Sequence, residues 1–161
     1  MEIYRIEVMP LGTNCYLVYD GDTKEGIVVD PGGSPELIGN AIDKIGVKVV
    51  AIVDTHGHWD HIGANTEIKE KTNAKILIIE QFLLPVEDKA YFRADLNGKI
   101  DITRALAREF ADYYIPLDGI MAKACGGEDM YHWSADGVHP NDNGSEFIGR
   151  VYADAINEML K

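Results

Sequence analysis

Cysteine is nearly absent from this 161-residue chain. There are two, Cys15 and Cys125, too few for a disulfide framework. Both read as buried thiols, Cys15 in a strand and Cys125 in a helix or loop. Basic residues are also short. Fifteen Lys and Arg face 27 Asp and Glu, a formal net charge of −12, and that field repels a nucleic-acid phosphate backbone. No apolar stretch reaches bilayer-spanning length, and Met1-Glu2-Ile3-Tyr4 has neither the basic region nor the hydrophobic segment of a signal peptide. These absences predict a cytoplasmic chain that engages neither nucleic acid nor membrane. The acidic surplus serves solubility. No internal repeat or low-complexity tract divides the chain. With 46% hydrophobic residues, its length suits one domain with its own core.

Histidine is scarce as well, with five in the chain, yet three of them fall in Thr55-His56-Gly57-His58-Trp59-Asp60-His61. This stretch follows the apolar, β-branched run 49–53, which reads as a buried central strand. The end of such a strand is where α/β folds carry their sites. Neutral imidazoles and carboxylates suit zinc, iron or manganese. His56 and His58 alternate with Gly57 and so project to one side of an extended segment, and Asp60 and His61 curl back toward the same point. The spacing predicts a site for zinc or another divalent transition metal, with His56, His58, Asp60 and His61 as ligands. Trp59 is expected over the site entrance.

The rest of the chain alternates. Strands are expected at 2–8, 14–19 and 26–30, then a helix capped by Ser34 with Pro35 in its first turn and ended by Gly46. The central strand 48–53, a helix over 61–72 and a buried strand over 75–80 follow. Residues 81–100 show no clean period and contain Pro85 and Asn97-Gly98, so they read as a loop over the site or a short extra helix. A helix begins at Asp101, with Ile102, Ala105, Leu106, Phe110 and Tyr113 on one face. A short edge strand at 114–117, weakened by Pro116, and a brief helix at 118–125 come next. The closing helix repeats Phe147, Ile148, Val151, Tyr152, Ala155, Ile156, Met159 and Leu160 at helical spacing. The expected architecture is a single three-layer α/β/α domain around a mixed, largely parallel sheet.

The histidine stretch, followed by Ile62-Gly63, resembles the signature of the metallo-β-lactamase superfamily. Asn14-Cys15-Tyr16-Leu17-Val18 and Ile27-Val28-Val29-Asp30-Pro31-Gly32-Gly33 extend the resemblance over about residues 1–75. It implies that His56 and His58 serve one metal, Asp60 and His61 a second, and that Asp30 supports the site from behind. The later histidine and bridging carboxylate of that family have no counterpart here, which favours one metal over two.

A second constellation is Asp136-Gly137-Val138-His139-Pro140. An Asp three residues before a His orients the imidazole through one nitrogen and leaves the other free. With the Asn141-Asp-Asn-Gly144 turn and the closing helix, this block resembles the end of SGNH (GDSL-type) esterases and lipases. That likeness extends back through Ile115-Pro-Leu-Asp118, the helix 101–114 and Gln81-Phe-Leu-Leu-Pro-Val86, covering about residues 76–161. The early Gly-Asp-Ser block that carries the nucleophile in that family is missing, as are the blocks of its oxyanion hole. Asp136 and His139 form a base without its serine.

Two incomplete halves meeting near the strand 75–80 imply an engineered recombinant within one domain, with a divergent natural protein as the alternative. Two readings of function stand side by side. One is metal-dependent hydrolysis of a small-molecule ester or phosphoester, in which Asp60 or His139, backed by Asp136, handles the proton. The other is a fold-level chimera without activity. If the recombined strands stay parallel, both loops open on one side and His139 joins the metal ligands. His132, beside Tyr131 and Trp133, reads as a packing or surface residue, and Arg93 as a solvated charge.

Overall fold

The computed structural model describes residues 1–86, 89–126 and 129–161. Six strands form one sheet in chain order: β1 (Glu2–Val8), β2 (Thr13–Tyr19), β3 (Glu25–Val29), β4 (Lys48–Asp54), β5 (Lys75–Ile79) and β6 (Tyr113–Ile115). The pairs β1–β2 and β2–β3 are antiparallel, while β3–β4, β4–β5 and β5–β6 are parallel. The largely parallel α/β architecture expected from the alternation is therefore present.

Helices α1 (Pro35–Ile45), α2 (Trp59–Ile62), α3 (Asn65–Thr72) and α4 (Phe92–Phe110) precede β6, and α5 (Leu117–Cys125) and α6 (Asp142–Met159) follow it. From β3 onward each parallel strand is added on the same side of the last. Right-handed crossovers then put α1, α3 and α4 on one face. There Ile38, Ile42, Ile68 and Ala107 pack with Cys15, Leu17, Val28 and Ile52. Helices α5 and α6 cover the other face, where Met121, Ile148, Ala155 and Met159 pack with Ala51, Val53, Leu77 and Ile115. Fully burying one such aliphatic side chain contributes about 1.5–3 kcal/mol. Among the described residues no helix is long and apolar enough to cross a membrane. Cys15 and Cys125 are both free thiols, and burial pushes the Cys15 thiol up to about 12.

β4 reads as an unbroken apolar run, but it does not alternate simply. Gly26 pairs with Val49 and Ile27 with Ala51, so Val50 is an extra residue bulged out of the ladder. The bulge resets the pleat: Val49 joins one core, while Ala51 and Val53 point into the other. Asp54, the last residue of β4, is thereby delivered fully buried.

Several local expectations are corrected. Ser34 does not cap α1. It lies in the left-handed region (φ 50°) and its hydroxyl accepts the Met9 backbone N–H at 3.0 Å. The helix expected over 61–72 is two helices, α2 and α3, separated at Gly63 and Ala64. The aperiodic segment holds the first half of α4, which begins at Phe92 rather than Asp101; Glu87 and Asp88 in that segment lie outside the described residues. α4 buries Ile100, Thr103 and Ala107, leaving Ile102 63% and Phe110 54% exposed. β6 ends at Ile115, before Pro116, and α5 starts at Leu117. The turn expected at 141–144 is the start of α6, where the Asn141 side chain accepts the Gly144 N–H at 3.1 Å.

Candidate metal centre

The C-terminal ends of the parallel strands carry buried acids. Asp30 follows β3, Asp54 closes β4 and Glu80 follows β5, at 6%, 0% and 0% exposure. Each has its own partners. Glu80 is held by the Arg104 guanidinium (2.9 Å) and the Tyr114 hydroxyl. Asp54 accepts one hydrogen bond, from the Asn65 amide at 2.8 Å, and burial pushes its carboxyl up to about 7.

Asp30 organises the histidine loop. Its Oδ1 accepts the Thr55 backbone N–H at 2.8 Å; its Oδ2 meets the Thr55 hydroxyl at 2.7 Å and His61 Nδ1 at 2.9 Å. The Thr55 hydroxyl must donate to the carboxylate, so its oxygen is an acceptor toward His56 Nδ1, 3.0 Å away. The network therefore assigns the Nδ1 protons of both His56 and His61, leaving each Nε2 lone pair free. Asp60 Oδ2 lies 3.5 Å from His61 Nε2 and accepts the Thr13 hydroxyl at 3.0 Å.

The rings crowd together. His56 lies 4.0 Å from His61 and 4.7 Å from His58, centroid to centroid. Burial first, then the His61 and His58 rings, hold His56 below its ordinary pKa, so it is neutral at pH 7. At Asp60, burial opposes ionisation, but the Thr13 hydroxyl and the His61 and His58 rings outweigh it and hold the carboxyl below its usual range. A neutral imidazole at His56, two further imidazoles beside it and an ionised carboxylate are a donor set that suits a divalent transition metal. Among the described residues no three His, Cys, Asp or Glu groups stand arranged to hold an ion, so ligation requires side-chain rotation.

Backbone contact fixes the loop. A Cβ on Gly32 would come within 1.6 Å of the Asp60 carbonyl oxygen, so only glycine lets the turn after Asp30 pass beneath α2. The Ala64 N–H donates to the Pro31 carbonyl at 2.8 Å across the same contact.

His139 stands apart. Its Nδ1 meets Asp136 Oδ2 at 2.8 Å and its ring is 83% exposed. The Asp136 carboxyl is held well below its usual range by the His139 backbone N–H, then the His139 ring, then the Val138 N–H. The neighbouring Val138 lines a cavity of about 520 Å³ together with His56, His58, Phe82, Phe92, Leu96 and Lys99. The loop before α6 thus opens onto the same cavity as the histidine loop, while the His139 ring pairs with Asp136 and not with residues 56–61. Trp59 is 58% exposed. Arg93 is not free, since it pairs with Asp118 at 2.7 Å and donates to the Leu83 carbonyl. His132 packs edge-on against Trp133 at 4.6 Å. Thr13, Asp54 and Asn65 escaped the sequence reading; Thr13 adjoins the Asn14–Val18 motif and Asp54 directly precedes Thr55, and adjacency is the only signal they carry.

Fold and loop together define a three-layer α/β protein with a histidine-rich ligand loop at the C-terminal edge of its sheet. A family model described as the metallo-β-lactamase superfamily matches residues 8–143, and the chain belongs to that superfamily. It is 39% identical over 70 residues to a hydroxyacylglutathione hydrolase of Rippkaea orientalis, covering 44% of this chain and 26% of that protein. It is 35% identical over 124 residues to the probable metallo-hydrolase YqgX of Bacillus subtilis, covering 74% and 54% respectively. The chain thus spans between about a quarter and about half the length of these relatives. The structure of LAE5, an alpha/beta hydrolase enzyme from the metagenome of Lake Arreo, Spain, superposes with a TM-score of 0.51 over 81% of this chain and 70% of that one, at 13% identity. That likeness is one of fold. Members of the superfamily bind divalent metals such as zinc and iron.

Proposed function

We propose that this protein is a metal-dependent hydrolase of small esters or phosphoesters, weak in activity, with His56, His58, Asp60 and His61 holding zinc or another divalent transition metal. The observation that carries this reading is the hydrogen-bond chain from His56 through Thr55 to Asp30 and back to His61. A carboxylate behind a ligating imidazole fixes its tautomer and raises its basicity. When bound, the ion lowers the pKa of water and polarises the scissile carbonyl or phosphoryl group.

The chain's own groups do the rest. Phe82, Phe92 and Leu96 receive the apolar part of the substrate in the cavity that His56 and His58 wall. Lys99 and Asp95, paired at 2.6 Å, border the same space and form its polar end. Asp60 or His139 takes the proton of the attacking water. His139 serves at the rim: its Nδ1 is fixed by Asp136, and its Nε2 lone pair can take a proton and return it to the leaving group. The hydrolase names of the relatives support the reaction class.

The second half is read as derived from an SGNH-type hydrolase and joined to the first by engineering. Asp136 and His139, paired at 2.8 Å before a capped helix, support the SGNH likeness alone, while the metallo-β-lactamase match over residues 8–143 runs across the proposed join. A second functional reading, a chimera without catalysis, is favoured by the absence of a ready-formed ion cage among the described residues. Hydrolysis of p-nitrophenyl acetate and bis-p-nitrophenyl phosphate, with and without chelator, separates the two. Cleavage that chelator abolishes and zinc restores supports the hydrolase. Cleavage indifferent to chelator, or none with metal loaded, rejects it.

A further inference from the structure

Beyond the histidine cavity, α4 roofs a second and larger one. It measures about 760 Å³ and is lined by Asp54, Asn65, Ile76, Leu106 and Phe110, among others. Gly57 and Thr103 line both cavities, so the histidine loop is the partition between them. The size suits a small organic molecule.

Its polar floor is incomplete. Asp54 is fully buried, and among the described residues its Oδ1 has no hydrogen-bond partner; neither has the buried Oδ1 of Asn65. In the assigned orientation the Asn65 amide Nδ2 donates to Asp54 Oδ2 at 2.8 Å, the pairing an ionised Asp54 requires. Its Oδ1 is then an acceptor. Buried polar atoms are as a rule satisfied, and an orphan costs free energy until a donor arrives. Two adjacent orphan acceptors call for one group with at least two donor hydrogens.

Charge narrows the choice. Glu70 and Glu109 border the cavity, and among the described residues the one cation on its lining, Lys69, is engaged by Asp112 at 2.8 Å. The lining is net negative whatever the state of Asp54. The walls at Ile76, Ile78, Leu106 and Phe110 are apolar.

We propose that this cavity binds a primary ammonium group carried on an apolar body, with the ammonium donating to Asp54 Oδ1 and Asn65 Oδ1 and the body lying against Leu106 and Phe110. This site is separate from the proposed metal centre and does not depend on it.

The experiment titrates metal-free protein with 4-phenylbutylammonium, 4-phenylbutanol and 4-phenylbutyrate, by calorimetry and by backbone amide shifts. The ammonium is expected to bind at least about tenfold more tightly than the alcohol, as charge-assisted hydrogen bonds require, and the carboxylate more weakly than either. The shifted amides should include Gly57, Asn65 and Thr103. Asp54→Asn should lower ammonium affinity at least about tenfold and leave the alcohol within twofold. Phe110→Ala, at an exposed position that does not threaten folding, should weaken the ammonium and the alcohol alike, and this arm stands if Asp54→Asn does not fold. Equal affinity for ammonium and alcohol, shifts confined to the histidine cavity around Phe82, or no binding with only an ordered water on Asp54 Oδ1 in a crystal structure would each overturn the proposal.

Discussion

Asp30 is the residue on which the histidine loop turns. It sits in the left-handed region at φ 50°, a conformation that Asp tolerates better than most side chains. From there both carboxylate oxygens accept: one from the Thr55 N–H, the other from the Thr55 hydroxyl and His61. Every partner is a donor, so a group with one acceptor and one donor end cannot replace it. Asp30→Asn keeps shape and backbone but turns an NH2 toward a donor, freeing either the Thr55 backbone or His61. Zinc affinity, read by competition with a chromophoric chelator, is expected to fall about 10- to 100-fold although no ligand is removed. An affinity within twofold of wild type would show that Asp30 does not orient the ligands. The same arithmetic of donors explains why Asp54 differs from Asp30 at the neighbouring strand end: it has one donor for two oxygens.

Among the elements, β6 is short and lies at the sheet edge, and a side chain just before it secures it. Asp112 Oδ2 accepts Lys69 Nζ of α3 and the Ile76 N–H of β5, both at 2.8 Å. The Lys69 contact foremost, opposed by burial and aided by the Ile76 N–H, lowers the Asp112 pKa. The folded state therefore holds its proton less tightly than the unfolded state. The resulting stability is present above about pH 4 and is lost as pH falls through the folded pKa. Asp112→Ala should cost about 1 kcal/mol at pH 7, and the gap from wild type in urea unfolding should close as pH drops below about 4. A gap unchanged by pH would locate the effect elsewhere.

Elements with one dominant signal were legible in sequence: the apolar runs of β4 and β5, and the periodic face of α6. α4 was hidden because Asn97-Gly98 interrupts its first half and because its buried face includes a polar residue, Thr103, which donates to Gln81. The Ser34-Pro35 pattern misled for a related reason. A hydroxyl that local rules assign to a helix cap was recruited by Met9, 25 residues away. Four ligand-type residues within six positions announce themselves, whereas a pair such as Asp54 and Asn65, eleven residues apart on different elements, does not.

For the molecule as a whole, the sheet decides what meets what. Because β3 to β6 run parallel, the loops after Val29, Asp54 and Ile79 share one edge, and the loop before α6 borders the same cavity as the histidine loop. Asp136 and His139 reach that edge already paired. Ser134, the nearest serine in sequence, is fully buried and donates to the His139 carbonyl. An organophosphonate probe is expected to label no serine, and stoichiometric labelling of one would restore a serine-esterase mechanism. The central claim, that residues 56–61 bind a divalent transition metal, is tested most directly by metal analysis and zinc titration of purified protein beside a His56→Ala, His58→Ala double variant. One equivalent of metal is expected in the wild type, weakening as pH falls through the imidazole range near about 6.5 because protons compete for the nitrogens, and lost in the variant. Wild-type protein that takes up no zinc, or a variant that binds it with unchanged affinity, would contradict the account.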